Sequence, residues 1–520
     1  MSRDRPLRSL KKPLRTVLSA ITLVLLLGLL PAGIASAQTQ SPSQPAVPAQ
    51  PQSPPQPPAA PVPGAGAAVQ EQQGSAQTPS GAPPPETRIT KAQAKELFRS
   101  VDEILGFASQ DTGLPITHKV KRNLITRESM EKYVDKRMKD DKDAQRLEQS
   151  RLVLIKFGLL PQGYDLHAEF LRLLSEQVAA YYDPKTKSVN LLDWVSLDTQ
   201  KPVLAHELTH ALQDQKVDLE KWELGGGPKN GSPLPDQQEY TVEEAQAARQ
   251  AITEGQAMVV LLDYSLAPLG KDVVNAPDVV DAMRAGMSDN KDSPVFAAAP
   301  MFLRESLMMP YTFGLDFVRT VLTQKGKEAA YGGMLDHPPA DTRQIMQAET
   351  YLDGQLVPPL TIPDLDKLVA PDYERFDFGS MGEFDVYLLA KQYSDGDPKM
   401  HYPHWRGGYY FAARAKAAPK DQIAMLYLSR WDSPESALAF AKLYAHYLPR
   451  RYKKTILRQS PAIGSPNLYV FDTDEGRATL EVRGSDLLIL EGFDDAVAAK
   501  ARDALLRSAP LPELGVKGNH

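Results

Sequence analysis

The sequence predicts an α+β protein, in which a mostly helical first part with one β-hairpin precedes a small sandwich of order ββαββα. Two observations lead to this fold class. From about residue 91 to residue 331, apolar residues recur mainly at helical spacing. After the prolines at 358, 359, 363 and 371, short apolar strands alternate with amphipathic helices. At 520 residues, the chain is long enough for two or three domains.

In the first part, the hairpin is the main departure from helical spacing. It joins strands over 178–182 and 188–192 through the turn Asp183-Pro184-Lys185, and β-branched and aromatic residues flank that turn. Pro202 marks the expected start of the next helix, because proline is tolerated in a first turn. We also expect a strand over 118–126 and helices over 92–107, 128–158, 164–174, 202–215, 239–267 and 317–331.

The second part begins after the proline-rich break. Ser433 is a plausible N-cap for an amphipathic helix. The predicted elements are strands over 409–413, 423–430, 469–471 and 478–490, and helices over 433–447 and 494–506.

The N-terminus is typical of an exported protein. Six basic residues precede the apolar run 17–30, and the small residues Ala35-Ser36-Ala37 follow it. This layout predicts a signal peptide over 1–37 that is cleaved after Ala37, with an uncleaved membrane anchor as the alternative. Residues 38–87 are rich in Pro, Gln and Ala and predict a disordered linker. We therefore expect an extracytoplasmic location: the periplasm, the cell envelope or the medium.

Charge and cysteine content exclude several classes of protein. The whole chain carries a net charge of −6, and loss of the basic signal segment leaves about −11. Such an acidic protein is a poor partner for nucleic acid, and a membrane is expected as a partner only if the signal segment stays attached. The chain has no cysteine, so thiolate ligands and thiol nucleophiles are excluded.

These shifts in composition predict the domain organisation. After the signal peptide and the linker 38–87, the main domain covers 88–356, a second linker 357–374, and an accessory domain 375–510, with 511–520 as a tail. We expect the accessory domain to be separable and to hold no catalytic residue.

The segment His206-Glu207-Leu208-Thr209-His210 carries the chemistry. Two histidines four residues apart project from one face of a helix, so that both can bind a single Zn²⁺. Glu207 lies beside the first histidine, placed to take a proton from a water that the metal activates.

A catalytic zinc needs a third protein ligand and an open position. Glu254 is the preferred candidate, because it lies on the next long helix among small and apolar neighbours, where a carboxylate is costly to bury unless it is paired or bound to metal. Gly255 would let two helices approach closely. Glu243, eleven residues earlier on roughly the same face, is the competing ligand.

This histidine motif, followed about 45 residues later by Glu254-Gly255-x-Ala257, resembles the gluzincin group of zinc metallopeptidases, and bacterial envelope members in particular. The resemblance covers roughly residues 95–350 and implies a zincin-like domain. It extends to 180–184, 211–215 and Pro310-Tyr311-x-x-Gly314. One position departs from the thermolysin-like branch, which places an Asp four residues after its glutamate ligand; here Met258 stands there.

The resemblance also suggests supporting residues. Asp214 is a candidate for the carboxylate that orients a zinc-bound histidine, with an exposed acid at the helix end as the alternative. Tyr311 and His337 are candidates for the donor that stabilises an oxyanion, with a core tyrosine and a loop-capping histidine as the alternatives. The strand 188–192 could pair with a peptide substrate by strand addition.

The sequence thus predicts a secreted zinc endopeptidase, with a peptide or protein as its substrate and Glu207 as its general base. The alternative is a zinc-binding envelope protein without peptidase activity, which acts by binding a partner through its C-terminal domain.

Overall fold

The structure is a computed structural model that describes residues 88–130, 132, 142–166, 168–169, 172–173, 180–227, 234–287, 293–462, 464–506 and 515–516. The predicted signal peptide and the linker 38–87 lie outside the described residues, as do most of the tail and parts of the predicted helices 128–158 and 164–174. Within the described residues, no helix is both long and apolar enough to cross a membrane.

The fold class is α+β, as predicted. The longer helices are α1 Lys91–Thr112, α2 Lys142–Lys156, α3 Leu197–Val217, α4 Asp236–Leu266, α5 Pro277–Met287, α6 Met301–Glu328, α7 Glu383–Tyr393, α8 Pro434–Tyr447 and α9 Asp495–Leu505. Shorter helical segments are Leu219–Trp222, Ala267–Leu269, Pro294–Ala298, Ala329–Gly333, Met334–Asp336, Thr342–Met346, Ala348–Leu352, Leu365–Val369, Pro398–Met400, Tyr402–His404 and Leu448–Arg450. The strands are β1 Lys121–Ile125, β2 Ala180–Asp183, β3 Ser188–Leu192, β4 Gln355–Leu356, β5 Tyr373–Ser380, β6 Trp405–Ala415, β7 Ala424–Trp431, β8 Thr455–Gln459, β9 Leu468–Thr473, β10 Gly476–Arg483, β11 Asp486–Glu491 and β12 Gly515–Val516.

The predicted hairpin is present as β2 and β3, but its sheet holds a third strand. The order is β1-β3-β2, with β1 parallel and β2 antiparallel to β3. β3 is therefore the central strand, and the expectation that 188–192 offers a free edge is wrong. Within the described chain, β2 has no further strand on its outer side.

Helix α3 begins five residues before its predicted start. The Ser196 hydroxyl accepts a hydrogen bond from the Thr199 N–H and caps the first turn, so that Pro202 lies inside the helix. Proline there lacks the N–H for one hydrogen bond of the ladder and its ring crowds the carbonyl four residues earlier, although its fixed φ suits helical backbone.

Helix α4 runs through the middle of the molecule. Residues 250–263 are all buried, so this stretch has no solvent-facing side, and it packs against both α3 and α6. Helix α6 begins sixteen residues before the predicted helix 317–331, with Pro310 inside it. The prediction placed Pro310 outside a helix, although a helix can continue through proline where packing holds it.

The C-terminal strands form a seven-stranded antiparallel sheet of order β5-β6-β7-β11-β10-β9-β8. The prediction missed β5, α7 and β8, and it merged β10 and β11 into one strand. Alternate residues of β7 and β11 face opposite sides of the sheet. Leu426 and Leu490 join the core cluster with Val497 of α9, whereas Glu491 accepts a hydrogen bond from Tyr444 of α8.

The chain is not divided at the predicted linker 357–374. From Arg88 onward the described residues belong to one compact unit. Tyr240 of α4 lies in the same apolar cluster as Phe378 and Tyr409 of the sheet, and the Tyr393 hydroxyl donates to the Phe157 carbonyl oxygen at 2.6 Å. The two parts share a core, and a division of function between them stays a prediction.

Candidate metal centre

The two histidines of α3 lie on its buried side, one turn apart. His206 is 1% exposed and His210 is 5% exposed, and their Nε2 atoms are 3.1 Å apart. Leu208 and Thr209 between them are also buried, so the whole turn is packed within the protein.

Glu254 of α4 completes a cluster of three ligand atoms. Its Oε2 lies 3.1 Å from His206 Nε2 and 3.5 Å from His210 Nε2. Tetrahedral zinc with bonds of about 2.0–2.1 Å places its ligand atoms about 3.3 Å apart. Within the described chain, these three residues are the group whose ligand atoms converge closely enough to hold a metal ion. The donor set of two imidazoles and one carboxylate therefore fits Zn²⁺ in both type and spacing.

Gln213 determines which nitrogen of His210 faces the cluster. Its amide NH₂ donates to the carbonyl oxygen of Thr253 at 3.0 Å and to Oε1 of Gln256 at 2.9 Å. The Gln213 amide oxygen is therefore the atom that faces His210 Nδ1, at 2.8 Å. An amide oxygen can only accept a hydrogen bond, so Nδ1 of His210 carries the proton. In a neutral ring, the lone pair of Nε2 is then directed at the cluster.

The corresponding nitrogen of His206 has no such partner. Among the described residues, Nδ1 of His206 makes no hydrogen bond of normal geometry, although the His206 ring lies near the main chain of Ala257. Met258, which replaces the Asp of the thermolysin-like branch, is buried and offers no carboxylate.

Tyr311 is part of the site. It is fully buried, its ring stacks on the His206 ring at 6.1 Å between centroids, and its hydroxyl hydrogen-bonds with Glu254. Gly314, one turn further along α6, allows this approach. A Cβ on Gly314 would lie 2.2 Å from the carbonyl oxygen of Ala251 in α4.

Gly255 contributes to the same contact. A Cβ on Gly255 would lie 2.3 Å from the carbonyl oxygen of Gly314. The close approach that the sequence predicted at Gly255 is therefore an approach of α4 to α6.

Glu207 lies beside the cluster without joining it. Its Oε2 accepts a hydrogen bond of 2.7 Å from the N–H of Tyr182. Tyr182 is paired with Val189 across the hairpin, so the edge strand β2 and the acid are linked directly. Glu207 is 1% exposed, and burial raises its pKa to about 8.

The charges of Glu254 and His210 offset each other. Burial disfavours the charged form of Glu254, but the charge of His210 and hydrogen bonds from both histidines lower its pKa to about 2. Burial also opposes the charged form of His210, but the Glu254 carboxylate raises its pKa to about 9. Glu254 and His210 therefore stabilise each other's charged form, and a cation at the cluster would compete with a proton for the same nitrogen.

Asp214 does not orient a zinc-bound histidine. Its carboxylate accepts hydrogen bonds from the Tyr182 hydroxyl, the Lys187 ammonium group and the Leu219 N–H, at 2.7–3.0 Å. Gln213, one residue earlier, contacts His210 instead, because positions three apart share a helix face. Asp214 thus holds the hairpin against α3.

His337 and Glu243 lie apart from the cluster. His337 is exposed and lines two surface cavities, and no residue of the metal triad is among the described residues that line them. Its expected role as an oxyanion donor is therefore not supported. Glu243 accepts a hydrogen bond from the Ser380 N–H at 2.5 Å, about 16 Å along α4 from Glu254. Glu254, and not Glu243, faces the histidines.

In comparisons with known proteins, no family model matches the chain, and neither a curated protein nor a solved structure matches it at the significance we required. The gluzincin resemblance thus depends on the motif and on the geometry of the site.

The sequence reasoning missed two residues of the site. Gln213 had a usable signal, because it lies three residues after His210 on the same helix face. Tyr182 had none, since its contribution is a main-chain N–H whose direction depends on the pairing of the hairpin.

Proposed function

We propose that the protein is a zinc-dependent endopeptidase with a zincin-like catalytic domain. The observation that carries this proposal is the convergence of His206, His210 and Glu254 within 3.5 Å, with the Glu207 carboxylate held beside them by the edge strand. A structural zinc site is usually closed by a fourth protein ligand, and the described chain offers three ligands and an adjacent acid.

His206, His210 and Glu254 would hold the zinc ion. When bound, zinc supplies a nucleophile at neutral pH by lowering the pKa of water, and it polarises a carbonyl oxygen. Glu207 accepts a proton and later returns it to the leaving amine. The Tyr182 N–H fixes Oε2 of this acid, so that Oε1 is the oxygen that exchanges the proton.

The peptide substrate is proposed to pair with β2. Strand addition needs an edge with unpaired main-chain groups, and β2 lies at the edge of its sheet. The Tyr182 N–H is already held by Glu207, so a peptide would pair with the other outward main-chain groups of β2 and would pass the general base there. The sequence placed this role on β3, which has neighbours on both sides.

Tyr311 is proposed to position Glu254 and not to stabilise an oxyanion. Its hydroxyl hydrogen-bonds with the carboxylate ligand, which fixes that carboxylate in a manner common around protein metal sites.

The test of the chemistry is Glu207→Gln. This substitution keeps size and polarity but removes the base. We expect the variant to fold and to bind zinc like the wild type, and to lose hydrolysis of a proteome-derived peptide library by at least about a hundredfold. Cleavage at a near wild-type rate would overturn the mechanism, and loss of zinc would mean that the roles are misassigned.

The test of the ligands compares two glutamates of the same helix. Glu254→Gln should sharply lower the zinc content of the purified protein, whereas Glu243→Gln should leave it at about one ion per chain. Elemental analysis measures both, and the reverse result would move the third ligand to Glu243.

One observation favours a second candidate function. The three ligands are nearly fully buried, as they would also be around a purely structural ion in an envelope protein that acts by binding a partner. For such a protein, Glu207→Gln changes no activity, and the wild type cleaves no peptide in the library. Both candidates share the proposed extracytoplasmic location, which depends on residues 1–37.

A further inference from the structure

A second site lies where α4 meets the C-terminal sheet. A cavity of about 100 Å³, partly open to solvent, is lined there by residues of α2, α4, α6, α7, β5 and β6. Most of its lining is apolar, and four aromatic rings contribute to it: Phe157, Phe302, Phe384 and Tyr410.

Glu243 is the polar group that stands out in this lining. It is 3% exposed, and its Oε2 accepts from the Ser380 N–H. Its Oε1, which is also buried, has no hydrogen-bond partner among the described residues. A buried carboxyl oxygen without a partner costs free energy comparable to that of a lost hydrogen bond, so a ligand that donates to it would be stabilised.

The charges around Glu243 indicate the sign of that ligand. Several acids of the described chain are buried at the same junction, and Arg343, the buried base near them, lies 3.9 Å from Glu383. Burial and the neighbouring Glu239 raise the pKa of Glu243 well above its usual range, and a cation beside Oε1 would stabilise the ionised form of this acid. The buried acids are Glu239, Glu243, Glu244, Asp341, Asp377 and Glu383.

A metal ion is not indicated here. Apart from His206, His210 and Glu254, the described residues contain no group of three His, Asp or Glu side chains whose ligand atoms lie within 4.8 Å of one another. The aromatic and aliphatic lining instead suits the carbon chain of an organic cation, since aromatic faces attract ammonium groups.

We propose that this cavity binds a small primary alkylammonium ion, whose ammonium group donates to Oε1 of Glu243 and whose carbon chain packs against Phe157, Phe302 and Phe384. An apolar cavity of about 150 Å³ holds benzene, so by proportion a cavity of 100 Å³ accommodates about four non-hydrogen atoms. Butylammonium is only slightly larger than this, and a lysine side chain presents the same group. This site goes beyond the proposed peptidase activity and does not depend on it.

The test is titration calorimetry on the full-length protein with n-butylammonium, n-butanol and n-butyrate, which are similar in size and differ in charge. We expect saturable binding of the cation, with an affinity at least about tenfold above that for the alcohol or the anion. The ammonium group could come from a free amine or from a lysine side chain, and N-acetyl-lysine amide distinguishes these two sources. If this compound binds and free butylammonium does not, the occupant is a peptide side chain.

Two variants and one control separate charge from shape. Glu243→Gln keeps an acceptor for the Ser380 N–H and should weaken binding of butylammonium at least about tenfold, without a change in zinc content. Ala247→Leu, on the cavity-lining face of α4, should abolish binding by filling the space. Glu374→Gln, at an exposed position of β5, should have no effect.

Three results would overturn the proposal. They are the absence of saturable binding of either amine to the wild type, equal binding of butanol and butylammonium, and unchanged binding by Glu243→Gln.

Discussion

At the scale of single residues, the metal cluster depends on an amide that is not a ligand. Gln213 faces the Nδ1 proton of His210 and donates to the Thr253 carbonyl and to Gln256, and the Gln256 amide in turn donates to the Ala330 carbonyl at 2.8 Å. Each contact fixes the direction of the next, so the orientation of His210 is specified from α3 through α4 to the short segment that follows α6.

The residues of the candidate metal site differ in how far the sequence could predict them. His206, His210 and Glu207 follow from spacing along one helix, and Glu254 from the cost of burying a carboxylate in an apolar face. Asp214 failed as a prediction because its partners, Tyr182 and Lys187, come from a hairpin more than twenty residues away. Contacts of that kind depend on tertiary packing and have no signature in local spacing.

A pair of acids, one buried and one half-buried, should make the stability of the protein depend on pH. Asp263 of α4 is 6% exposed, and burial together with the charge of Asp111 raises its pKa to about 8. A raised pKa means that the folded state keeps a proton that the unfolded chain loses near pH 4. The stabilisation is therefore complete at low pH and declines as pH rises to about 8.

Asp263→Asn should remove this dependence. The amide oxygen can still accept the 2.6 Å hydrogen bond from the Val273 N–H, but the group no longer titrates. We expect the free energy of unfolding of the variant, relative to wild type, to rise by at least about 1 kcal/mol between pH 5 and pH 8. Melting curves at both pH values measure this change, and Asp278→Asn, at an exposed position of α5, serves as the control. A constant difference would show that Asp263 does not titrate in this range.

At the scale of elements, the close approach of α4 and α6 determines the geometry of the site. Gly255 and Gly314 face each other across main-chain contacts, and each lies within one turn of a functional side chain. Gly255 follows Glu254, and Gly314 is three residues after Tyr311. The same contact that packs the helices therefore brings the tyrosine hydroxyl to the carboxylate.

Gly314→Ala should separate these helices. The new Cβ would meet the Ala251 carbonyl oxygen at 2.2 Å, a main-chain atom that cannot move alone. We expect a loss of about 1–3 kcal/mol in stability, together with weaker zinc binding because Tyr311 shifts away from Glu254. Chemical denaturation and competition with a zinc chelator measure the two effects.

Gly106→Ala is the matched control within a helix. No atom lies within 4 Å of a Cβ placed on Gly106 of α1, so this change should raise stability by up to about 1 kcal/mol. If both glycine variants behave alike, the close approach is not what holds the site together.

The elements were predictable where local signals were strong. Ser433 caps α8 as predicted, through a hydrogen bond from the Ser436 N–H, and the hairpin turn lies at 184–187, between β2 and β3. The start of α3 and the length of α6 were predicted wrongly, because Pro202 and Pro310 were taken to mark the ends of helices and in fact lie inside them. β5 was missed because it directly follows the proline-rich segment.

At the scale of the whole molecule, α4 joins the metal site to the C-terminal sheet. Its middle carries Glu254, and its first turns are buried against the sheet through Tyr240 and Glu243. Asp236 at its start pairs with Arg375 of β5 through two hydrogen bonds of 2.7 Å. Composition shows where the spacing of apolar residues changes, but it does not show which residues pack together. The sequence therefore predicted two separable domains, whereas α4 and the C-terminal sheet share one core.

This shared core predicts that both parts unfold together. Glu491 of β11 is fully buried, and its Oε1 lies 3.0 Å from Arg451, whose side chain is 4% exposed. Arg451 also donates to the carbonyl oxygen of Lys156, at the end of α2. Glu491→Gln would leave the arginine charge buried without its counter-ion, at a cost of about 3–5 kcal/mol.

Calorimetry should therefore show one unfolding transition for the residues from Arg88 onward, and Glu491→Gln should lower its midpoint as a whole by roughly 3–6 °C. Asp495→Asn, which alters an exposed ion pair with Arg477, is the control and should change the midpoint by less than about 1 °C. Two transitions, of which only one responds to Glu491→Gln, would instead support a separable C-terminal domain. A single transition that moves with the variant would mean that the metal site and the sheet are stabilised by the same contacts.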